Sequence, residues 1–506
     1  MIIQITKKYH HILLLFESHS QYEFQLLYRF SKKGAPMEAI FKLKEYGSNV
    51  RIEVLAGLVT FVTMAYIIIV NRSILEMTGI PGGAVILATC IAAAIGTLVM
   101  AFFANVPYAQ APGMGLNAFF TFTVCFGLGF SWEQALAMVF ICGIINFVVT
   151  VTKVRKHIIA SIPKVLQCAI GAGIGVFIAY IGIKNAGFLS FTSDPGTYAL
   201  LDSGTVIAGS SAVPAVVAFN TPTLIMAVFS IILMVVLVVR KIPGGILIAI
   251  IVSTLIGVPL GLVNFEFSSY FSELGASFSQ LGAVFGQSVI SIPSLFSDPT
   301  KILIVIATIF AFSLTDIFDT IGTFIGTGRS TGIFSEKEID DIAKTSGFKT
   351  RLDKALLADS IATSVGALFG TSNTTTYVES AAGISAGGKT GLTALTTAVC
   401  FLLAMAFAPL VLAVPGWATA PALIIVGVMM AKPLKDINWT ELSDAVPAFL
   451  IATTMAFFYS ITTGIAIGFV FYCLTKITVG KIKEIHPVLA IFTVLFLANF
   501  VITALM

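Results

Sequence analysis

Three carboxyl side chains stand where a chain buried in lipid has little use for them. Asp316 and Asp319 lie in FSLTDIFDTIGTFIGT (312–327), an apolar helix candidate. Glu379 lies in TSNTTTYVESAAGISAGGKT (371–390), a run of Ser, Thr, Asn and Gly set between long apolar stretches. Positions i and i+3 share a helix face, so the two aspartates point the same way. On insertion scales each ionised carboxylate at a helix centre costs about 2.5–3.5 kcal/mol, so the three together cost roughly 7–10 kcal/mol. The nearest cations in sequence, Arg329 and Lys389, are too far along the chain to be obvious partners. A proton, a bound cation or a substrate offering N–H groups would fill that role. The structural alternative is that neighbouring Thr and Ser hydroxyls hold the carboxyls, and for Asp319 both readings stand.

A second polar break, PYAQAPGMGLNAFF (107–120), carries Gln110 and Asn117 among small residues. Asn117 sits where a half-helix would open, as an N-cap beside free backbone N–H groups. Phe119 offers a face for a flat ligand, although in a chain with 42 phenylalanines packing explains it as well. Val378 precedes Glu379 at the other break, where exposed peptide groups and a side chain can grip a ligand together. Irregular backbone survives at membrane depth only when buried in protein or lining a watery cavity. Two such breaks with intramembrane carboxylates point to the binding site of a secondary transporter.

The elements that must position these residues are membrane helices. The chain is 57% hydrophobic and 11% charged over 506 residues, with a mean hydropathy of +0.99. A soluble chain carries roughly a quarter charged residues. Apolar runs suggest spans near 52–71, 83–104, 117–130, 134–152, 165–183, 222–239 and 243–263. A second set falls near 301–327, 355–370, after 378, and at 390–414, 417–431, 447–462, 463–477 and 485–505. The last run is either a further span or a sign that 447–477 is one bent element. Lys and Arg cluster at 153–156, 240–241, 329–354, 432–435 and 476–483. The positive-inside rule makes that side cytoplasmic, together with the N-terminus, in a cytoplasmic (inner) membrane. Similar spacing in 242–258 and 461–477 suggests two related halves. Met37 reads as the natural start, with 1–36 an extension and 37–50 an amphipathic segment on the cytoplasmic surface.

Other motifs lose to their context. GISAGGKT (383–390) matches a phosphate loop but lacks the preceding strand and a soluble nucleotide-binding domain. GAGIGV (171–176) resembles a dinucleotide fingerprint yet lies in an apolar run, where close helix packing explains it. The six cysteines fall singly in apolar runs, and the one histidine that touches a span, His486, sits at the very edge of the last, so no metal or cofactor is expected. No basic cluster with interleaved aromatics suggests nucleic acid.

APGMGLNAFF, TDIFDTIGT and GTSNTTTYVESAAGI together resemble the signatures of the adenine/guanine/hypoxanthine permease branch of the nucleobase–cation symporters, relatives of the uracil and xanthine/uric acid permeases. The resemblance runs from about Met37 to the C-terminus. It implies an all-α polytopic protein of about fourteen spans in two inverted repeats of seven, forming a core domain (51–152 and 301–414) and a gate domain (153–300 and 415–506), often as a homodimer. It also implies broken third and tenth elements, each a short strand plus half-helix, with purine between them. By motif, Asp316 matches the eighth-span carboxylate, Glu379 the tenth-span carboxylate and Asn117 the third-span polar residue. The expected function is proton-coupled import of neutral purines by alternating access, with sodium left open as the coupling ion. Glu379, Asp316 and Asn117 are the expected substrate contacts, with Asp316 or Asp319 carrying the proton. An anion exchanger on a similar core–gate fold is the rival within transport, disfavoured by the unpaired carboxylates. A membrane enzyme using Asp316 and Asp319 as metal ligands is the rival from another class.

Overall fold

Inside a bilayer each apolar segment must satisfy its own backbone polar groups, and the chain does so by forming helices. The computed structural model describes residues 36–152, 163–193, 198–201, 204–207, 212–265, 267–335, 338 and 350–505. Among them, eight helices are long and apolar enough to cross a membrane, and four shorter apolar helices accompany them. After a short α1 (Pro36–Phe41) come α2 (Val50–Met64), α3 (Tyr66–Leu75) and α4 (Gly82–Val99). Strand β1 (Gln110–Pro112) then leads into α5 (Met114–Gly127), followed by α6 (Trp132–Val151) and α7 (Lys164–Asn185). Two small hairpin sheets, β2 (Leu189–Ser193) with β5 (Ala212–Val216) and β3 (Tyr198–Leu201) with β4 (Gly204–Ile207), precede α8 (Pro222–Val239) and α9 (Gly245–Gly257). An amphipathic α10 (Tyr270–Val284) joins this part to α11 (Ile302–Thr331) and α12 (Arg351–Phe369). Strand β6 (Thr374–Thr376), α13 (Ser380–Ser385) and α14 (Gly391–Ala404) repeat the strand-then-helix order of β1 and α5. The chain closes with α15 (Gly416–Met430), α16 (Leu442–Phe457), α17 (Ile461–Thr478) and α18 (Pro487–Leu505).

Packing sorts these helices into two bundles. In the first, α12 lies against α4 and α6, α14 against α2 and α4, and α11 against α6. In the second, α7 lies against α15 and α16, α8 against α9 and α15, and α16 against α17. At the centre of the first bundle β1 and β6 pair antiparallel, with Gln110 opposite Thr376 and Pro112 opposite Thr374. Equivalent elements of the two halves therefore meet: β1 with β6, α4 with α12, and α7 with α15. This is the arrangement an inverted repeat produces about an axis in the membrane plane.

Several local expectations change. The first half-helix starts at Met114 with Gly113 as its cap, so Asn117 lies within the first turn and not at the cap. The stretch 447–477 is two helices separated by Phe458–Ser460, where Tyr459 has a φ of 54°. Helix α10, inside the range read as gate, packs on α4 of the first bundle; its mixed composition hid it from a search for apolar runs. The reading of the N-terminal extension falls on residues 1–35, which lie outside the described residues.

Both nucleotide-like motifs are packing devices. Gly175 and Gly427 bring α7 and α15 into backbone contact, since a Cβ on Gly175 would lie 2.8 Å from the Gly427 carbonyl oxygen. In GISAGGKT the amides of Lys389 and Thr390 already serve a carboxylate. Glu53, wholly buried on α2, accepts from both (3.1 and 3.2 Å) and from the Thr393 hydroxyl (2.6 Å). An acceptor at a helix start satisfies donors that the helix leaves free. No phosphate is needed to explain those amides.

Candidate functional site

Asp316 lies midway along α11 and is completely buried. Three donor groups converge on its Oδ2: Asn146 Nδ2 at 2.9 Å, Thr363 Oγ1 at 3.1 Å and Asn373 Nδ2 at 3.3 Å, the Thr363 hydroxyl sharing its one hydrogen with the Thr374 carbonyl at 2.9 Å. They come from α6, α12 and the turn before β6, so one carboxyl ties three elements to α11. Ser313, one turn earlier, donates to Asn146 Oδ1 and holds that amide's orientation. Asp316 Oδ1 has no hydrogen-bond partner among the described residues.

A fourth carboxyl, not singled out from the sequence, completes the interior. Asp359 on α12 is buried and accepts at Oδ1 from Thr320 Oγ1 (2.7 Å) and Thr376 Oγ1 (3.0 Å). The same membrane-cost argument that flagged Asp316 applies to LLADSIATS, and it was the available signal. A small cavity of about 10 Å³ adjoins Asp359, lined by Asn146, Thr150, Thr320 and Ser360 together with apolar side chains. That is near the lower limit for one water molecule.

Asp319 and Glu379 face elsewhere. Asp319 is exposed although it stands in the middle of a membrane helix, and Glu379 is half-exposed. Thr375 Oγ1 lies 3.5 Å from Asp319 Oδ2, and the same hydroxyl meets Thr320 Oγ1 at 2.8 Å. Tyr66, a buried ring on α3, donates its hydroxyl to Glu379 Oε1 at 2.7 Å. Tyr377 is fixed by its own hydroxyl to the Pro112 carbonyl (2.7 Å), and Ser380 Oγ accepts from the Ala109 amide (3.0 Å). The turn carrying Val378 and Glu379 is thus bolted to the β1 side, and Val378 itself is 48% exposed.

Gly322, one turn beyond Asp319, is exposed as well, and so are Ser385 and Ala386 at the end of α13. Leu314 and Thr315, on the other side, are buried. An exposed carboxylate at this depth requires a watery cleft. Arg351, at the start of α12, donates to the Asn105 and Lys389 carbonyls, and its guanidinium lies over Tyr46. Among the described residues no Lys or Arg forms an ion pair with Asp316, Asp319, Asp359 or Glu379.

The remaining sequence candidates lie behind this cleft. Asn117 is buried and donates to Asn71 Oδ1 at 3.0 Å, while Asn71 Nδ2 donates to Thr89 and Thr371. Phe119 is buried edge-on against Phe312, with ring centroids 4.6 Å apart. The structure therefore brings together Asp319, Val378 and Glu379 on one open surface and gathers Asp316, Asp359, Asn146 and Asn373 in a closed interior. Asn71, Asn146, Asn373 and Tyr66 were not singled out beforehand, since each lies in an apolar or hydroxyl-rich run where one amide or phenol adds little signal.

Comparison with known proteins agrees with this architecture. Residues 51–467 match the profile of a permease family named for xanthine and uracil. The adenine permease AdeP of Escherichia coli strain K12 is 37% identical over 465 residues, covering 92% of this chain and 96% of its own. The guanine/hypoxanthine permease PbuO of Bacillus subtilis strain 168 is 39% identical over 461 residues, covering 90% and 98%. Among solved structures, the transmembrane domain of a cyanobacterium bicarbonate transporter, BicA, superposes with a TM-score of 0.55 over 83% of this chain and 97% of its own. At 14% identity that likeness is one of fold, a multi-pass helical membrane architecture of core and gate. Matched over most of its length by the profile, and by relatives that it covers almost end to end, the chain belongs to this permease family, in its adenine/guanine/hypoxanthine branch.

Proposed function

We propose that the protein imports neutral purine nucleobases through the cytoplasmic membrane by proton symport, with the first bundle as a moving core and the second as a gate. One observation carries the reading: two carboxyls, Asp319 and Glu379, share an open cleft, while two more, Asp316 and Asp359, are sealed behind it. A purine ring presents N–H donors and no net charge, so carboxylate acceptors suit it without burying a second charge. Glu379, oriented by Tyr66, is the principal acceptor, and Asp319 and the Val378 peptide lie beside it. Asp316 holds the coupling proton, out of reach of the purine. Asn117 supports the half-helix through Asn71 and does not touch the substrate. Anionic substrates would meet unpaired carboxylates and be repelled, which disfavours the exchanger reading.

This reading places the accessible carboxyl surface on the inward-facing side, with the basic end in the cytoplasm. Alternating access then requires the core, with both broken elements, to shift past the gate until the opposite side opens. One proton crossing about 150 mV supplies about 3.5 kcal/mol, enough for roughly a few-hundredfold accumulation. Uptake of labelled hypoxanthine into energised membrane vesicles, with and without a protonophore, tests the proposal. Uptake should be concentrative and collapse to equilibration with the protonophore; uptake indifferent to it would refute proton coupling.

A further inference from the structure

The hydrogen-bond inventory around Asp316 is lopsided. Its Oδ2 accepts three bonds and its Oδ1 none. The amide of Asn373 shows the complementary pattern. Its Nδ2 donates to Asp316 Oδ2 at 3.3 Å and toward Cys142 Sγ at 3.3 Å, while its Oδ1, also buried, has no donor. Two buried acceptors without donors, on side chains already bonded to each other, are costly if both groups are ionised or aprotic. A single proton on Asp316 Oδ1 answers both: the acid O–H donates to Asn373 Oδ1 while Asn373 Nδ2 donates back to Oδ2. The two planar groups then close a ring of two hydrogen bonds.

We infer that Asp316 is a neutral acid in this structure, paired through both oxygens with the Asn373 amide, and that Asn373 is the positioning residue that passes the loss of that proton to the broken elements. The inference rests on the proton-symport reading above for its consequence, but not for the pairing itself. Asn373 is well placed for the role. Its own carbonyl accepts from the Gly113 amide at 2.9 Å, immediately before α5. The next residue, Thr374, begins β6, which pairs with β1. Thr375, two residues on, reaches Asp319, and β6 leads directly to the Tyr377–Glu379 turn. Loss of the proton would remove the donor to Asn373 Oδ1 and leave a bare charge on Asp316, so that the amide is held through Nδ2 alone and the residue that leads into β6 loses half of its side-chain anchor. The other titratable groups facing Asp316 are Cys142 on α6, Asp319 on α11 and Asp359 on α12. The spectroscopic assignment therefore needs a variant specific to Asp316.

Difference infrared spectroscopy on the purified full-length protein, comparing wild type with Asp316→Asn at neutral pH, isolates the carbonyl band of the Asp316 acid. The pairing predicts such a band, sensitive to deuterium exchange and shifted in Asn373→Ala and Asn373→Ser. Absence of the band in wild type, or an unmoved band in both variants, overturns the pairing whatever the protein transports. In proteoliposomes, Asn373→Ser should still exchange labelled hypoxanthine, while accumulation driven by a membrane potential of about 150 mV falls to about one, equal concentrations on both sides, from the roughly few-hundredfold ceiling set above. Wild-type accumulation retained in full by that variant refutes the coupling role alone. Wild-type protein that moves no purine, yet shows the band and its shift, would instead refute the transport reading and leave the pairing intact.

Discussion

Replacing Glu379 by alanine should reduce purine affinity by a predictable amount. Glu379 Oε1 is held by the Tyr66 hydroxyl at 2.7 Å, and the side chain is half-exposed to the cleft. A hydrogen bond from a ring N–H to a charged acceptor contributes about 1.5–3 kcal/mol. Its loss corresponds to roughly a 10- to 160-fold rise in Kd at 25 °C. Removing Glu379 also strands the buried Tyr66 hydroxyl, at about 1–3 kcal/mol. That cost falls on the empty and the occupied protein alike, so it lowers thermal stability and not affinity. The two effects separate in a calorimetric titration with hypoxanthine run beside a thermal melt. Tyr66→Phe should invert the pattern, with a smaller loss of affinity because the carboxylate remains but loses its orientation. A Glu379→Ala protein binding hypoxanthine within about threefold of wild type would refute the acceptor role, since no hydrogen bond in the range used here is so weak.

Other predictions follow from the same geometry. Asp316→Asn should keep measurable purine binding, because Asp316 is sealed from the cleft, while pH-dependent uptake disappears; loss of binding with the fold intact would place Asp316 against the substrate. Gly427→Leu drives a side chain into the Gly175 carbonyl at the α7–α15 crossing and should cost about 1–3 kcal/mol or more, read as a lower melting temperature or loss of membrane abundance. A chain beginning at Met37 should insert and transport normally, whereas one beginning at Ser48 should be less stable, because it lacks Phe41 and Leu43, both buried. In the loop after α17, the hydrogen bond from Lys476 to Glu484 (2.7 Å) holds the Glu484 carboxyl below its usual range. A carboxyl depressed on folding stabilises fully above its unfolded value, about 4.3, and the contribution fades as pH falls through the lower folded value. Glu484→Gln should therefore lose the part of the stability difference seen at pH 7 and match wild type in strong acid.

Much of this site was legible because membrane burial penalises polar groups so heavily. Asp316, Asp319 and Glu379 stood out by charge alone, and the two breaks by their Gly, Ser, Thr and amide content. The sequence did not separate the open pair from the closed pair. Asp316 and Asp319 are three positions apart and share a helix face, yet one is buried by Asn146, Thr363 and Asn373 and the other is exposed. That distinction depends on which neighbours arrive from α6, α12 and the β6 turn, and no local pattern encodes it. Asp359 escaped notice because its run also contains Asp353, an ordinary helix-capping carboxyl paired with Thr350. Helix α10 was missed for a related reason, since an amphipathic helix that lies against a bundle carries too few apolar residues to register as a span.

Direct measurement of proton movement tests the central claim most sharply. Purified protein in sealed proteoliposomes containing a pH-sensitive dye, free of sodium and with membrane potential clamped, is given hypoxanthine on the outside. The account predicts lumenal acidification that tracks purine entry at about one proton per purine, the stoichiometry assumed for a charge-neutral substrate driven by one coupling carboxyl, and predicts that Asp316→Asn abolishes the acidification. Purine entry with no change in lumenal pH, or entry that appears only when sodium is supplied, would contradict it.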